Sequence, residues 1–234
     1  MTAPSASELA ALRLDRSTLL EVRDTFRARL EAVLSGADDE IAALPAWLPP
    51  PPPGLAGQAL VVDAGGSNVR AAWVELPAGG GGLVRHAGPV HAELPRDVDA
   101  GGLFAFQAEL AAELGPPPGL PVGYCFSYPS DCRPDGDAVL RRWTKGVAIP
   151  GVEGRPVGAP LRAALADRGL RPGPVRVLND AVAALLAAAW TAGAESECVG
   201  LIVGTGSNMA AFLRRPPDRE ARAVNLESGN FRPP

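Results

Sequence analysis

The chain has 234 residues, of which 47% are hydrophobic, 5% aromatic and 21% charged, with a formal net charge of −4. This length and apolar content suffice for a buried core and argue against global disorder, and with so few aromatics the core must be built from Leu, Val and Ala. A mildly acidic chain with no basic stripe argues against nucleic acid as a partner, because phosphate-backbone binding needs clustered Lys and Arg, and apolar runs such as Ala181 to Ala189 are too short to span a bilayer.

The N-terminus mixes acidic and basic residues and has no signal-peptide pattern. Cys125, Cys132 and Cys198 are odd in number and lack zinc-type spacing, so reduced thiols in a cytoplasm are the expectation. Arg has displaced Lys everywhere except at Lys145, and asparagine is confined to Asn68, Asn179, Asn208, Asn225 and Asn230. A sequence sparing with these residues keeps them where their chemistry is needed. Chance is the plain alternative for any one of them, but every one lies in a segment singled out below.

In chain order, Ser5-Ala6-Ser7-Glu8 has the form of a capping box, and apolar residues recur at helical spacing through Leu20, Phe26, Leu30 and Leu34 up to Gly36. The prolines from Pro49 to Pro53 form a stiff connector, read as a spacer rather than as a peptide ligand. Strands are predicted at Ala59–Val62, Val69–Leu76 and Leu83–Leu94, with the glycines at 79 to 82 turning between the last two. A helix follows over Leu103–Leu114, a strand over Pro121–Ser127, a helix over Arg155–Leu170 and a strand over Val175–Leu178. The pass ends with a helix over Asp180–Trp190, a strand over Val199–Val203 and a short strand near Met209–Leu213. Three successive strands followed by alternating helices and strands indicate an α/β chain with a mixed sheet.

Five segments carry candidate chemistry. In Asp63-Ala64-Gly65-Gly66-Ser67-Asn68-Val69-Arg70, adjacent glycines let backbone amides approach a phosphate, and an acid at a strand end can hold Mg²⁺; an ordinary hairpin turn explains the segment equally well. Gly204-Thr205-Gly206-Ser207-Asn208 repeats the design, which suggests two clamps on one polyphosphate. Asn179-Asp180 lies where a strand gives way to a helix. There Asp180 either caps the helix or, kept ionised by the helix N-terminus, serves as a general base for a hydroxyl proton. Ser127, Thr144 and Lys145 offer hydroxyl and ammonium donors from strand-end loops. Asn225 and Glu227 supply an amide and a carboxylate, a pair suited to neighbouring sugar hydroxyls.

Taken in order, these segments resemble the hexokinase family, from about Ser17 through Leu44-Pro45-Ala46-Trp47 to Phe231. The pair Phe126-Ser127-Tyr128-Pro129 and Arg142-Trp143-Thr144-Lys145-Gly146 is the most specific part of the likeness. The resemblance implies the actin-like ATPase (ribonuclease-H-like) fold, with the small domain complete or nearly so and the large domain truncated. The implied division is an N-terminal helical segment (1–48), a Pro-rich linker (49–58), the small domain (59–178) and the start of the large domain (179–234).

The activity it implies is ATP-dependent phosphorylation of a hexose, glucose first among them, at its 6-hydroxyl, the first step of glycolysis. In that scheme Asp180 takes the hydroxyl proton, with Lys145 near the transferring phosphate. Ser127, Thr144, Lys145, Asn179, Asn208, Asn225 and Glu227 hold the sugar. Gly65, Gly66, Ser67, Asn68, Arg70, Gly204, Thr205 and Gly206 surround the phosphates of ATP, and Asp63 sits by Mg²⁺. Positioning and charge neutralisation are most of what phosphoryl transfer asks of a protein. The chain departs from the family pattern at Ser228, where Trp is usual, and at Asn230, where a small residue is usual. Family members continue past the position of Pro234 into an adenosine-binding segment. The expectation is therefore a truncated kinase or one completed by a second chain, the alternative being a catalytically incomplete sugar-binding or regulatory fragment.

Overall fold

The computed structural model describes residues 13–78, 82–192, 197–204, 206–214 and 220–234. The first helix among the described residues is α1 (Arg16–Leu34). Asp15 caps it by accepting the Thr18 amide at 2.8 Å. The Ser5–Glu8 capping box lies outside the described residues. At the other end Gly36, at φ 102°, closes the helix with the paired bonds Gly36 N to Val33 O and Ala37 N to Ala32 O, a Schellman turn that only a residue tolerant of positive φ completes without strain.

Two sheets follow. β2 (Gly57–Ala64), β3 (Asn68–Leu76) and β4 (Val84–Glu93) run antiparallel, while β5 (Val122–Phe126) and β8 (Val175–Leu178) join β2 in parallel. The resulting order is β4-β3-β2-β5-β8. The parallel pairs need crossovers, supplied by α2 (Ala100–Ala112) and by α3 (Gly158–Asp167), the latter preceded by a small hairpin of β6 (Ser130–Cys132) and β7 (Ala138–Leu140). Leu60, Val62, Leu103, Phe104, Tyr124, Leu161 and Leu165 belong to the core between this sheet and its helices.

The second sheet has the order β1-β11-β10-β9, all antiparallel, from β1 (Leu44–Pro45), β9 (Val199–Val203), β10 (Ser207–Leu213) and β11 (Arg222–Asn225). Side chains alternate along β10. Ala210 and Phe212 meet α4 (Asp180–Ala192), while Met209 and Leu213 meet α1 on the opposite face. Thus α1 and β1, far apart in sequence from residues 199–225, are built into the same layer as they are. The Pro49–Pro53 run carries the chain from β1 to β2, that is, from one sheet to the other.

The predicted strands at Val175–Leu178 and Val199–Val203 match the structure end for end. The helix expected over Arg155–Leu170 is shorter, because Pro156 bridges to Val139 in extended form and Gly169, at φ 79°, ends the last turn. The strands β1, β6, β7 and β11 were not expected: the first three have only two or three residues, too few to display a period, and β11 is a short run that begins with Arg and ends with Asn.

Candidate active site

Register determines where the site lies. Ala64 pairs with Phe126, and Cys125 with Leu178, so the residues that follow each strand leave one edge of the sheet together. Those residues are Gly65, Ser127 and Asn179. The carboxyl ends of parallel strands are where ligands bind in open α/β sheets.

There a cavity of about 210 Å³ is lined by Ser127, Thr144, Lys145, Asn179, Asp180, Gly206, Asn208 and Glu227, together with Arg142 and Asn230. Seven of the residues expected to hold a sugar or act on it thus share one wall system. Asn225 lies just behind them, its Nδ2 donating to Glu227 Oε1 at 2.7 Å.

Asn208 ties the loops together. Its Nδ2 donates to Asn179 Oδ1 (3.2 Å) and Asn225 Oδ1 (2.8 Å), and its Oδ1 accepts the amides of Met209 (2.8 Å) and Ser228 (3.3 Å). One side-chain amide therefore joins the end of β8, the start of β10 and the turn after β11. Asn208→Asp would set a carboxylate oxygen against two side-chain carbonyls. The expected cost is about 2 kcal/mol, read as a lowered denaturant midpoint. An unchanged midpoint would remove the hub role.

The helix-cap question resolves at α4. Asn179 occupies the capping position: its Oδ1 accepts the Ala181 amide at 2.9 Å and its backbone carbonyl accepts the Ala183 amide. Asp180 is already the first helical residue. One of its oxygens also reaches the Ala181 amide (2.9 Å), and Oδ2 lies 3.8 Å from the Lys145 ammonium. The carboxylate is left facing the cavity, beside the positive end of the helix.

Lys145 and Glu227 both adopt left-handed backbone conformations, φ 58° and φ 52°. Non-glycine residues held there store strain, and such positions cluster at functional sites. The loop before Lys145 is braced by Trp143, whose Nε1 donates to Ile149 O (2.8 Å) and whose amide donates to Glu153 Oε1 (2.6 Å). The Trp143 ring also packs edge-on against Tyr128, with centroids 4.6 Å apart. Lys145 Nζ donates to the Ser127 carbonyl at 2.9 Å. Burial raises the pKa of Glu227, opposed by the bond from Asn225; the charge of Asp180 raises it further, while Lys145 and Arg142 pull it down. Burial, reinforced by the charges of Asp63 and Asp180, pushes the Cys125 thiol well above its ordinary value, so Cys125 is a neutral thiol rather than a nucleophile.

The residues expected around phosphates are less tightly gathered. Gly66 lies against the Lys145 side chain, so that a Cβ there would come within 2.9 Å of the lysine Cδ. Asp63 does not line the cavity; Arg70 donates to its Oδ2 at 3.0 Å. Gly65, Ser67 and Asn68 form the turn itself, with Gly65 N donating to Asn68 O and Leu94 N to Ser67 O. On the second turn Gly206 reaches the cavity, Gly204 stands behind it, and Thr205 lies outside the described residues. No group of three or more His, Cys, Asp or Glu side chains able to hold a metal occurs among the described residues. Sequence reasoning had Tyr128, Arg142 and Trp143 inside its two most specific segments but gave them no role, and it missed Glu153; their bracing and lining depend on long-range contacts.

The fold is that of the actin-like sugar kinases. A family sequence model described as Hexokinase matches residues 6–190, and the chain belongs to the hexokinase family, aligned with its N-terminal region. It is 33% identical to hexokinase-2 of Homo sapiens over 94% of this chain and 26% of that protein. With the hexokinase of Schwanniomyces occidentalis it shares 32% identity over 94% of this chain and 50% of that one. The solved structure of the Schistosoma mansoni hexokinase, a complex with glucose, superimposes with a TM-score of 0.76 at 27% identity, covering 91% of this chain and 51% of that one. The chain thus spans about half or less of the length of these relatives.

Proposed function

We propose that this chain binds a hexose, glucose first, in the cavity at the ends of β5 and β8, and that Asp180 is the base for phosphoryl transfer to the 6-hydroxyl. The observation that carries this reading is the Asp180 carboxylate standing 3.8 Å from the Lys145 ammonium in a cavity whose lining is rich in side-chain amides and hydroxyls and includes Glu227 and Arg142. The bound glucose of the Schistosoma mansoni structure supports the choice of sugar.

The lining suits a polyhydroxylated ring. Asn208, Asn179 and Thr144 offer donors and acceptors, Glu227 accepts from adjacent hydroxyls, and Ser127 and Asn179 are buried against the sheet. Asp180 then accepts the proton leaving the 6-hydroxyl as the new oxygen–phosphorus bond forms, and ADP departs. Lys145, 3.8 Å from that carboxylate, would supply positive charge to the transferring phosphate, where charge develops. ATP supplies the phosphoryl group as co-substrate, and Mg²⁺ neutralises its phosphates. The residues present fit that pair: Gly204 and Gly206 leave open space where side chains would stand, and Mg²⁺ carried on phosphates needs only one or two protein carboxylates, for which Asp63 is the candidate.

Glu227 gives a pH signature. Because burial raises its pKa, its ionisation costs the folded state free energy. Stability is fullest below the ordinary glutamate range and declines as pH rises toward the raised folded value. Sugar binding runs the other way, since the carboxylate is the form that accepts hydroxyls. Glucose affinity should therefore weaken as pH falls through a range above that of an ordinary glutamate, and Glu227→Gln should flatten the profile. Parallel profiles in the two proteins would remove Glu227 from the binding set.

The reading itself is tested by titrating glucose while following tryptophan fluorescence, because Trp143 adjoins Thr144 and Lys145. A saturable change with glucose and none with a sugar alcohol is expected. Neither fluorescence change nor calorimetric heat would overturn it.

A further inference from the structure

Arg96 lies in the loop after β4, outside every motif described above, yet its guanidinium joins two of them. One nitrogen donates to the Gly146 carbonyl at 2.6 Å, and the other to the Gly66 carbonyl at 3.2 Å. Beside it, the buried Tyr128 hydroxyl donates to the Gly65 carbonyl at 2.8 Å. Both carbonyls of the Gly65-Gly66 turn are thus held by side chains reaching in from elsewhere in the fold.

The planar trans peptide turns this into a statement about the amides. Across each peptide the C=O of one residue and the N–H of the next point in opposite directions. Holding the Gly65 carbonyl on Tyr128 aims the Gly66 N–H away from it, and holding the Gly66 carbonyl on Arg96 does the same for the Ser67 N–H. Neither amide has a hydrogen-bond partner among the described residues, whereas the Gly65 amide next to them is satisfied by Asn68 O. Two adjacent free amides are an anion-binding concavity. A Cβ at 66 would come within 2.9 Å of the Lys145 Cδ, so the turn that carries these amides lies directly against the Lys145 side chain.

We propose that Arg96 is a positioning residue for polyphosphate: it clamps the Gly65–Ser67 turn to the Lys145–Gly146 loop and so presents the Gly66 and Ser67 amides together with the Lys145 charge. The inference rests on the kinase reading above for the identity of the ligand, and on the hydrogen bonds alone for the clamp. Arg suits the role because its planar fork can reach two carbonyls at once, which a lysine ammonium at the same position cannot do in the same geometry.

The experiment is calorimetry on the full chain, its Arg96→Ala variant and its Arg96→Lys variant, using Mg²⁺ with inorganic tripolyphosphate, MgATP, and glucose as separate titrants. Amide exchange is followed at Gly65 and Val147, whose bonds to Asn68 O and Thr144 O lie in the two clamped loops. Arg96→Ala is expected to weaken both polyphosphates by about tenfold, the loss typical of hydrogen bonds from a charged group. Glucose affinity should hold, and exchange should quicken at both amides while α2 stays protected. Arg96→Lys should recover part of the loss. Polyphosphate affinity equal to the parent's, exchange unchanged in either loop, or a proportionate loss of glucose affinity would each overturn the proposal. If the parent binds glucose but neither polyphosphate, the clamp has no ligand and the proposal falls. If the parent binds polyphosphate but no hexose, the kinase reading falls while the clamp stands.

Discussion

Asp180→Asn should lower sugar-phosphate turnover by about 10²- to 10⁴-fold, the usual loss when a general base is removed. The amide keeps the shape of the side chain, and its oxygen can still accept the Ala181 amide that Asp180 Oδ1 accepts now. The start of α4 should therefore be undisturbed, all the more because Asn179 provides the cap. What is lost is the capacity to take a proton and the attraction across 3.8 Å to Lys145. Glucose binding, measured separately by calorimetry, should persist. Turnover near the parental value would remove Asp180 from the chemistry, and loss of glucose binding in step with turnover would make it a binding residue instead.

The second large effect is structural and lies behind the site. Gly200, the second residue of β9, is buried, and α4 crosses directly over it. A Cβ at that position would collide with the Ala181 carbonyl oxygen and come within 2.7 Å of the Leu185 amide nitrogen. Both are helix backbone, which cannot rotate aside as a side chain could. Gly200→Ala should therefore lift α4 from its sheet and cost about 3 kcal/mol, at the upper end of overpacking effects. Because α4 carries Asp180 at its first turn, turnover should fall with stability. A denaturant midpoint equal to the parent's would show that the helix has room to move and that the packing is looser than the structure indicates.

Much of this arrangement was legible in the sequence, for identifiable reasons. Val175–Leu178 lies between Pro174 and Asn179, and Val199–Val203 is an apolar run ended by Gly204, so their ends read directly. The sharp change from Leu178 to Asn179-Asp180 marked a strand giving way to a helix, and with it the end of the sheet where the site forms. The scarcity of Asn and Lys was informative as well: Lys145, Asn179 and Asn208 line one cavity, and Asn225 stands behind it. The rest was hidden because it depends on tertiary geometry. Nothing local says that Asn179 rather than Asp180 caps α4, since either side chain can accept the amide. The left-handed backbones of Lys145 and Glu227 are invisible in residues that normally avoid that region. The β1–β11 pairing joins Leu44 to Asn225 across most of the chain, and no two-residue strand announces its partner. Arg96 looked like one arginine among many until its two carbonyl partners were in place.

The central claim is that this cavity directs a phosphoryl group to the primary hydroxyl of a hexose. Phosphorus NMR of the full chain with glucose and MgATP tests it most directly, with 6-deoxyglucose as the control that offers every hydroxyl but the reacting one. The account predicts a hexose 6-phosphate ester appearing in step with ADP from glucose, no ester from 6-deoxyglucose, and loss of the ester signal in Asp180→Asn. Release of ADP and inorganic phosphate without any ester, or ester formation by Asp180→Asn at the parental rate, would contradict it.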